Sequence, residues 1–155
     1  MRLKKIPKNV ILKGGVILNP VTRSEIQGDI WLNNGCIKMI GDLVDLPSDK
    51  EVIDCTDKFV THGFCDIHSH FREPGREDKE TLFTGSLAAM SGGFTRVCIM
   101  PNTYPTLDSP ESIKFILEKS KTCPIYIHPI GAVTKNQNGK ELTEMGLMLS
   151  EGAIA

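Results

Sequence analysis

The sequence has 155 residues, of which 40% are hydrophobic and 24% are charged, and its formal net charge is −1. This composition is typical of a globular protein with a core of ordinary size. The nearly neutral charge argues against nucleic acid or an anionic membrane as a partner. The basic residues 1–8 precede an apolar run too short for a signal-peptide core, and no stretch approaches the roughly 20 apolar residues of a membrane span.

Cysteines are spread widely along the chain. Their number is odd and no Cys-x-x-Cys pair occurs, so we expect neither a disulfide framework nor a thiolate zinc site. Their apolar neighbours favour small core residues of a cytoplasmic protein. Any metal would therefore be bound by histidine and carboxylate. The cysteines are Cys36, Cys55, Cys65, Cys98 and Cys123.

Residues 9–57 are predicted to form β structure within an N-terminal segment assigned to residues 1–57. Short apolar runs alternate with turn formers, and no helical periodicity is visible. The run Asn33-Asn34-Gly35 is a strong hairpin signal. Strands are expected at 10–12, 15–18, 29–32, 36–41 and 51–55.

Strand and helix patterns alternate in residues 58–155. Continuous apolar strands separated by helices predict a parallel sheet built from βα units, and therefore an α/β fold. Ser109-Pro110 predicts a helix start, because a capping residue precedes proline at the first position. Buried strands are expected at 59–70, 95–100 and 125–130, with a fourth starting at 152. Helices are expected at 79–91, from 108 onwards and at 141–151.

The strongest chemical signal is the run Asp-Ile-His-Ser-His-Phe-Arg-Glu-Pro-Gly at residues 66–75. If the preceding strand continues through this run, His68, His70 and Arg72 point to one face. Two imidazoles on one face can share a metal ion. A guanidinium beside them can bind a carboxylate in a bidentate manner. The run therefore predicts a hydrolase site for an acidic substrate.

Several of these side chains also have a purely structural interpretation. Arg72 has the alternative of a surface ion pair with Glu73 or Glu77. Asn102 follows the second strand, where a polar turn and a substrate contact are equally favoured. His128 lies inside an apolar run before a proline, which favours a structural role. His62 is also expected to be structural. Gly92-Gly93 is not expected to bind an anion, because it lies at the C-terminus of a predicted helix, the end that the helix dipole makes unfavourable for anions.

The run at residues 66–75 resembles the first metal-binding signature of the amidohydrolase superfamily, in the form carried by dihydroorotases. Residues 91–95 and 100–103 resemble the second block of that family, and residues 129–135 and 141–145 resemble the third. The resemblance implies an incomplete (β/α)8 TIM-type barrel, namely its first three βα units, in residues 58–155. It also implies a small β-sandwich segment in residues 1–57.

The resemblance further implies that His68 and His70 bind zinc, as one or two ions. His70, Arg72 and Asn102 would contact a small-molecule substrate. The reaction would be the reversible interconversion of N-carbamoyl-L-aspartate and dihydroorotate in pyrimidine biosynthesis. Zinc would activate water and polarise the amide carbonyl. Neither nucleic acid nor a membrane is an expected partner, and homo-oligomerisation stays open.

The sequence departs from the family pattern in two respects. It has His62-Gly63 where the family usually has Pro-Gly. A closed barrel typically needs roughly 250 residues, so the bridging ligand, two later histidines and the catalytic aspartate would lie beyond Ala155. We expect the 155-residue chain alone to be inactive. The alternatives are an allantoinase or dihydropyrimidinase type of cyclic amidohydrolase, and a non-catalytic barrel fragment.

Overall fold

A computed structural model describes residues 7–155. Residues 1–6, which include most of the basic N-terminus and the start of the predicted 1–57 segment, lie outside the described residues. The described chain forms two compact units, of which the first ends at His62 and the second begins at Gly63. Within residues 7–155, no helix has the length and apolar character that crossing a membrane requires.

The first unit is a single five-stranded sheet. Its central strand β1 pairs with β2 in antiparallel fashion and with β4 and β5 in parallel fashion, while β3 pairs with β2. The second layer of a sandwich stays a prediction. The strands are β1 (Asn9–Asn19), β2 (Ser24–Asn33), β3 (Cys36–Gly41), β4 (Glu51–Asp54) and β5 (Phe59–Val60).

Local sequence signals explain the turns of this sheet. Asn34 and Gly35 join β2 to β3 with φ values of 49° and 78°, as a two-residue turn with positive φ at both positions requires. The predicted hairpin is therefore confirmed. The two apolar runs at 10–12 and 15–18 form one strand rather than two, because a register shift between Leu12 and Gly15 accommodates the residues between them.

The second unit alternates strands and helices, which confirms the α/β class. Its three strands are parallel and lie in the order β6-β7-β8. A single 3₁₀ turn, Lys135–Gln137, precedes the last helix. The elements are β6 (Phe64–Ser69), α1 (Leu82–Ser91), β7 (Phe94–Ile99), α2 (Pro110–Ser120), β8 (Tyr126–Pro129) and α3 (Met145–Glu151).

Apolar packing between the helices and one face of this sheet forms the core. The largest fully buried side chains include Leu82, Ile99, Ile113 and Ile116. Capping boxes at Thr81 and at Ser109 satisfy free N–H groups at the starts of α1 and α2. The predicted start of α2, a capping residue before Pro110, is thus confirmed.

The predicted continuous strand at 59–70 is wrong. Residues 59–60 pair with β1 of the first unit, whereas β6 begins at Phe64 in the second unit. Nor is β6 buried, since Ile67 is 75% exposed. Among the described strands β6 pairs with β7 alone, so it is an edge strand.

The cysteines and the C-terminal elements also differ in part from expectation. All five cysteines have free thiols, but Cys36 and Cys65 are exposed rather than in a core. Helix α3 starts at Met145, because the preceding residues pair backbone to backbone across the bridge between Thr134 and Leu142. Residues 152–155 form no regular strand, although Ile154 N donates to Pro129 O beside β8 at 3.1 Å.

Candidate functional site

The candidate site lies where β6 and β7 end. Both strands run in the same direction, so their carboxyl ends lie at the same edge of the sheet. Met100 N donates to Ser69 O at 2.8 Å and keeps the two strands together up to this edge. The residues after each strand therefore start from neighbouring positions, as in other parallel sheets that carry a site at this edge.

His68 and His70 approach each other through their outer ring nitrogens. The two Nε2 atoms are 3.2 Å apart, and the rings meet edge to face with centroids 5.0 Å apart. Two nitrogens bound to one tetrahedral zinc at about 2.05 Å would be separated by about 3.3 Å. The observed separation therefore suits a shared metal ion. Asp66 orients the strand end, since its Oδ1 accepts from His68 N at 2.9 Å.

Asn102 contacts one ring of this pair, that of His70. Its Oδ1 lies 2.9 Å from the Nδ1 of His70. Because an amide oxygen only accepts hydrogen bonds, this contact places the proton of a neutral His70 ring on Nδ1 and leaves Nε2 with a free lone pair. The Nδ2 group of Asn102 has no partner within residues 7–155, so it can donate to a bound ligand.

Arg72 is placed by a loop and not by the strand. Because β6 ends at Ser69, the expectation that strand alternation aligns Arg72 with the histidines is wrong. The flanking Phe71 and Glu73 are buried, whereas Arg72 is exposed. Among the described residues its guanidinium has no hydrogen-bond or ion-pair partner.

The alternative ion pairs of Arg72 are not formed. Glu73 pairs with Lys119 instead. The carboxylate of Glu77 accepts from Gly75 N at 3.0 and 3.1 Å, and this hydrogen bond holds the pKa of Glu77 below its usual range. Arg72 is thus a free cation among the described residues, and the two carboxylates considered as its partners are engaged elsewhere.

His128 has its recorded side-chain contact outside this arrangement. The Nε2 of His128 is 3.2 Å from Arg96 Nη1, and the Arg96 guanidinium covers the Tyr126 ring at 4.4 Å. His128, on β8, therefore contacts a residue of the neighbouring strand β7. His62 belongs to the first unit.

The histidine pair can supply two of the ligands that a zinc site needs. Within residues 7–155, no group of three His, Cys, Asp or Glu side chains is placed to hold a metal ion. His68 and His70 supply two imidazole nitrogens at a suitable spacing. A structural or catalytic zinc site needs three or four protein ligands, so these two residues fit zinc as a portion of its ligands.

Two loop residues were overlooked as part of the site by sequence reasoning. Glu73 entered only as a partner for Arg72, yet it is 1% exposed and binds two helices. Gly75 entered only as the last residue of the run at 66–75, yet its missing side chain lets the loop after β6 contact Tyr104 in the loop after β7. Tyr104 N donates to Pro74 O at 3.1 Å across the same contact. The Glu-Pro-Gly sequence at residues 73–75 was the feature from which these two residues could have been found.

Comparison with known proteins identifies the family. The family model described as Dihydro-orotase-like matches residues 57–155. A dihydroorotase of Clostridium acetobutylicum is 39% identical over 145 residues, which are 94% of this chain and 34% of that protein. The chain therefore spans about a third of the length of the curated relatives it matches.

Solved structures show the same fold. The L-hydantoinase (dihydropyrimidinase) from Arthrobacter aurescens aligns with a TM-score of 0.79 at 22% identity, over 93% of this chain and 31% of that one. A D-hydantoinase (dihydropyrimidinase) from Thermus sp. aligns with a TM-score of 0.66 at 31% identity, over 91% and 30% of the two chains. With residues 57–155 matched and the paired histidines at the strand ends, this chain belongs to the dihydro-orotase-like family.

Proposed function

We propose that the complete protein is a cyclic amide hydrolase that interconverts dihydroorotate and N-carbamoyl-L-aspartate. The observation that carries this proposal is that His70 contacts both His68 and Asn102 at the carboxyl edge of the sheet. A free arginine follows in the next loop. Family membership supplies the reaction class, and the curated relatives are dihydroorotases.

His68 and His70 would hold zinc through their Nε2 atoms. When bound, zinc supplies Lewis-acid polarisation of an amide carbonyl and makes water more acidic. The proposal includes one or two zinc ions at this position. The remaining ligands and the general base belong to the same proposal and would come from the later strands of a closed (β/α)8 barrel.

The residues of this chain would also recognise the substrate. Dihydroorotate carries a carboxylate, and Arg72 offers planar N–H groups that match a carboxylate in a bidentate manner. Asn102 would use its Oδ1 to orient His70 and its Nδ2 to donate to the same anion. The ring of His70 would then lie between the metal and the substrate.

Substrate charge separates this proposal from the nearest alternative. Dihydropyrimidinases act on cyclic amides that lack the carboxylate, and such a substrate gives Arg72 nothing to bind. An uncompensated guanidinium would contribute no affinity for a neutral ring. The free cation therefore favours dihydroorotate over dihydrouracil. Pyrimidine biosynthesis and a cytoplasmic location follow from this assignment as parts of the same proposal.

The test compares two substrates with matched arginine variants. Hydrolysis of dihydroorotate and of dihydrouracil is measured for the complete protein and for its Arg72→Ala and Arg72→Lys forms. Removing hydrogen bonds to a charged group should lower kcat/KM for dihydroorotate by about 10- to 100-fold or more. Arg72→Lys should recover only part of the lost kcat/KM for dihydroorotate, because an ammonium group cannot bind a carboxylate in a bidentate manner.

Arg76→Ala is the control, since Arg76 is in the same loop but pairs with Asp78 at 2.9 Å. It should leave the rates nearly unchanged. Turnover of dihydrouracil by the unmodified protein, with none of dihydroorotate, would refute the assignment in favour of a dihydropyrimidinase. Turnover of neither substrate would favour a non-catalytic protein.

A further inference from the structure

Glu73 is a buried carboxylate in the loop between β6 and α1. It is 1% exposed, and every other acidic side chain in the loop, Glu77, Asp78 and Glu80, is more accessible. Burial of an ionised carboxylate is costly unless it is paired and hydrogen-bonded. Because Glu73 follows Arg72 directly, the contacts that offset this free-energy cost also fix the loop that carries Arg72.

The two carboxylate oxygens of Glu73 bind two different helices. Oε2 accepts from Leu82 N, the first residue of α1, at 2.6 Å. Oε1 pairs with the ammonium group of Lys119 near the end of α2. A carboxylate at a helix start is favoured by the helix dipole. Because the two bonds run to separate elements, they fix the side chain in both position and orientation.

Arg72 lies between two buried neighbours. Phe71 packs into the core cluster and is 5% exposed, and Glu73 is held as described. With both flanking side chains directed into the unit, the backbone of Arg72 has little freedom, and its side chain projects outwards. The exposed guanidinium is therefore oriented by its buried neighbours Phe71 and Glu73, which do not contact the ligand.

We propose that Glu73, clamped by Lys119 and by the N-terminus of α1, is a positioning residue that sets the direction of Arg72 for binding the carboxylate of the substrate. This inference rests on the proposed function. Lys119 shares this positioning role, because it pairs with the charge of Glu73 and links the loop to α2. Loss of either residue should loosen the carboxylate contact and leave the histidine pair intact.

A general structural role predicts a different kinetic pattern. A misfolded or destabilised protein would lose activity towards charged and uncharged cyclic amides alike. A misplaced Arg72 weakens only the binding of the carboxylate, so KM for dihydroorotate should rise while kcat, zinc content and KM for dihydrouracil stay nearly unchanged. The difference between KM and kcat therefore separates the two roles.

The variants are made in the complete protein. Glu73→Gln keeps the size and the acceptor for Leu82 N but loses the charge pair, and Lys119→Met removes the other partner. Each should raise KM for dihydroorotate by about tenfold. Lys119→Arg should restore a value near that of the unmodified protein. The control is Glu118→Gln, since Glu118 precedes Lys119 on α2 and forms an exposed pair with Lys121.

A second measurement does not depend on activity. Amide hydrogen exchange of Gly75 and Arg76 reports on the loop, because Arg76 N donates to Arg72 O at 2.9 Å. Exchange at these amides should accelerate in Glu73→Gln and not in Glu118→Gln, while the peptide at 135–143 serves as an internal reference. Absence of dihydroorotate turnover in the unmodified protein would refute the proposed function, and the exchange data would still test the clamp.

Three results would overturn the inference. The first is a proportional loss of kcat on both substrates, and the second is an equal effect of Glu118→Gln. The third is unchanged exchange at Gly75 and Arg76 in Glu73→Gln.

Discussion

The Nδ1 atom of His70 lies 2.9 Å from the Oδ1 atom of Asn102, across 32 residues of sequence. The contact joins the end of β6 to the loop after β7. It orients the His70 ring so that Nε2 faces the Nε2 of His68 at 3.2 Å. Asn102 thus acts on the proposed metal site through His70, in the manner of an outer partner that fixes a ligand's tautomer.

Asn102→Ala is expected to weaken zinc binding by about 10- to 100-fold, the usual effect of removing such a partner. Asn102→Asp should lose less, because a carboxylate oxygen still accepts from Nδ1. Zinc affinity of the complete protein is measured by competition with a chromophoric chelator. Asn138→Ala is the control, since Asn138 is exposed and, among residues 7–155, its side chain accepts only from Lys140 N. Equal affinity in all the variants would contradict the role assigned to Asn102.

The histidine pair gives a second prediction, based on metal content. His68→Ala and His70→Ala should each reduce bound zinc strongly, because each removes one of two adjacent nitrogen donors. His128→Ala should retain the metal, because His128 contacts Arg96 on the neighbouring strand. Zinc per protein is measured by atomic emission after dialysis. Loss of zinc in His128→Ala, or full retention in His68→Ala, would show that the ligands are assigned incorrectly.

Much of the fold could be predicted because its signals are local. Asn34-Gly35 specifies its turn through positive φ values, and Ser109-Pro110 specifies a helix start through capping. The break between β5 and β6 could not be predicted in this way. An apolar run shows that a strand forms but not which sheet it joins, so residues 59–70 look continuous although they supply strands to two units.

The candidate site shows the same division between local and distant information. The i, i+2 spacing brings His68 and His70 together, and parallel strands bring Asn102 beside them. The direction of Arg72 instead depends on Glu73 and Lys119, which are 46 residues apart. Sequence periodicity carries no information about such a pair, so the strand-face argument for Arg72 failed, and its role as a substrate contact stays a prediction.

Glu77 provides a pH-dependent prediction. Its pKa is lowered chiefly by the hydrogen bond from Gly75 N. A carboxyl group whose pKa is lower in the folded state stabilises that state above its unfolded pKa, and this contribution is lost as pH falls through the folded pKa. We therefore expect a small loss of stability between about pH 5 and pH 3 that Glu77→Gln removes.

Urea unfolding at several pH values measures this loss for Glu77, and an NMR titration of its carboxyl carbon checks the cause directly. An ordinary or raised pKa for Glu77 would refute the explanation. An equally large loss of stability between about pH 5 and pH 3 in Glu77→Gln would also refute it.

Gly75 and Gly139 form a matched pair that separates backbone strain from close contact. Both have positive φ, 100° and 74° respectively. An added Cβ at Gly75 would overlap the carbonyl oxygen of Tyr104, whereas one at Gly139 would meet nothing within 4 Å. Gly139→Ala should therefore cost about 1 kcal/mol, from the left-handed backbone alone. Gly75→Ala should cost about 3 kcal/mol or more, because overpacking adds to the strain.

Urea denaturation measures both variants, and zinc affinity tests the consequence for the site. Since the loop after β6 contacts the loop after β7 through Gly75, its displacement should also disturb the contact between His70 and Asn102. We expect Gly75→Ala to weaken zinc binding under conditions where the protein is fully folded, and Gly139→Ala to leave it unchanged. Equal destabilisation by the two substitutions would mean that the loops do not depend on this close approach.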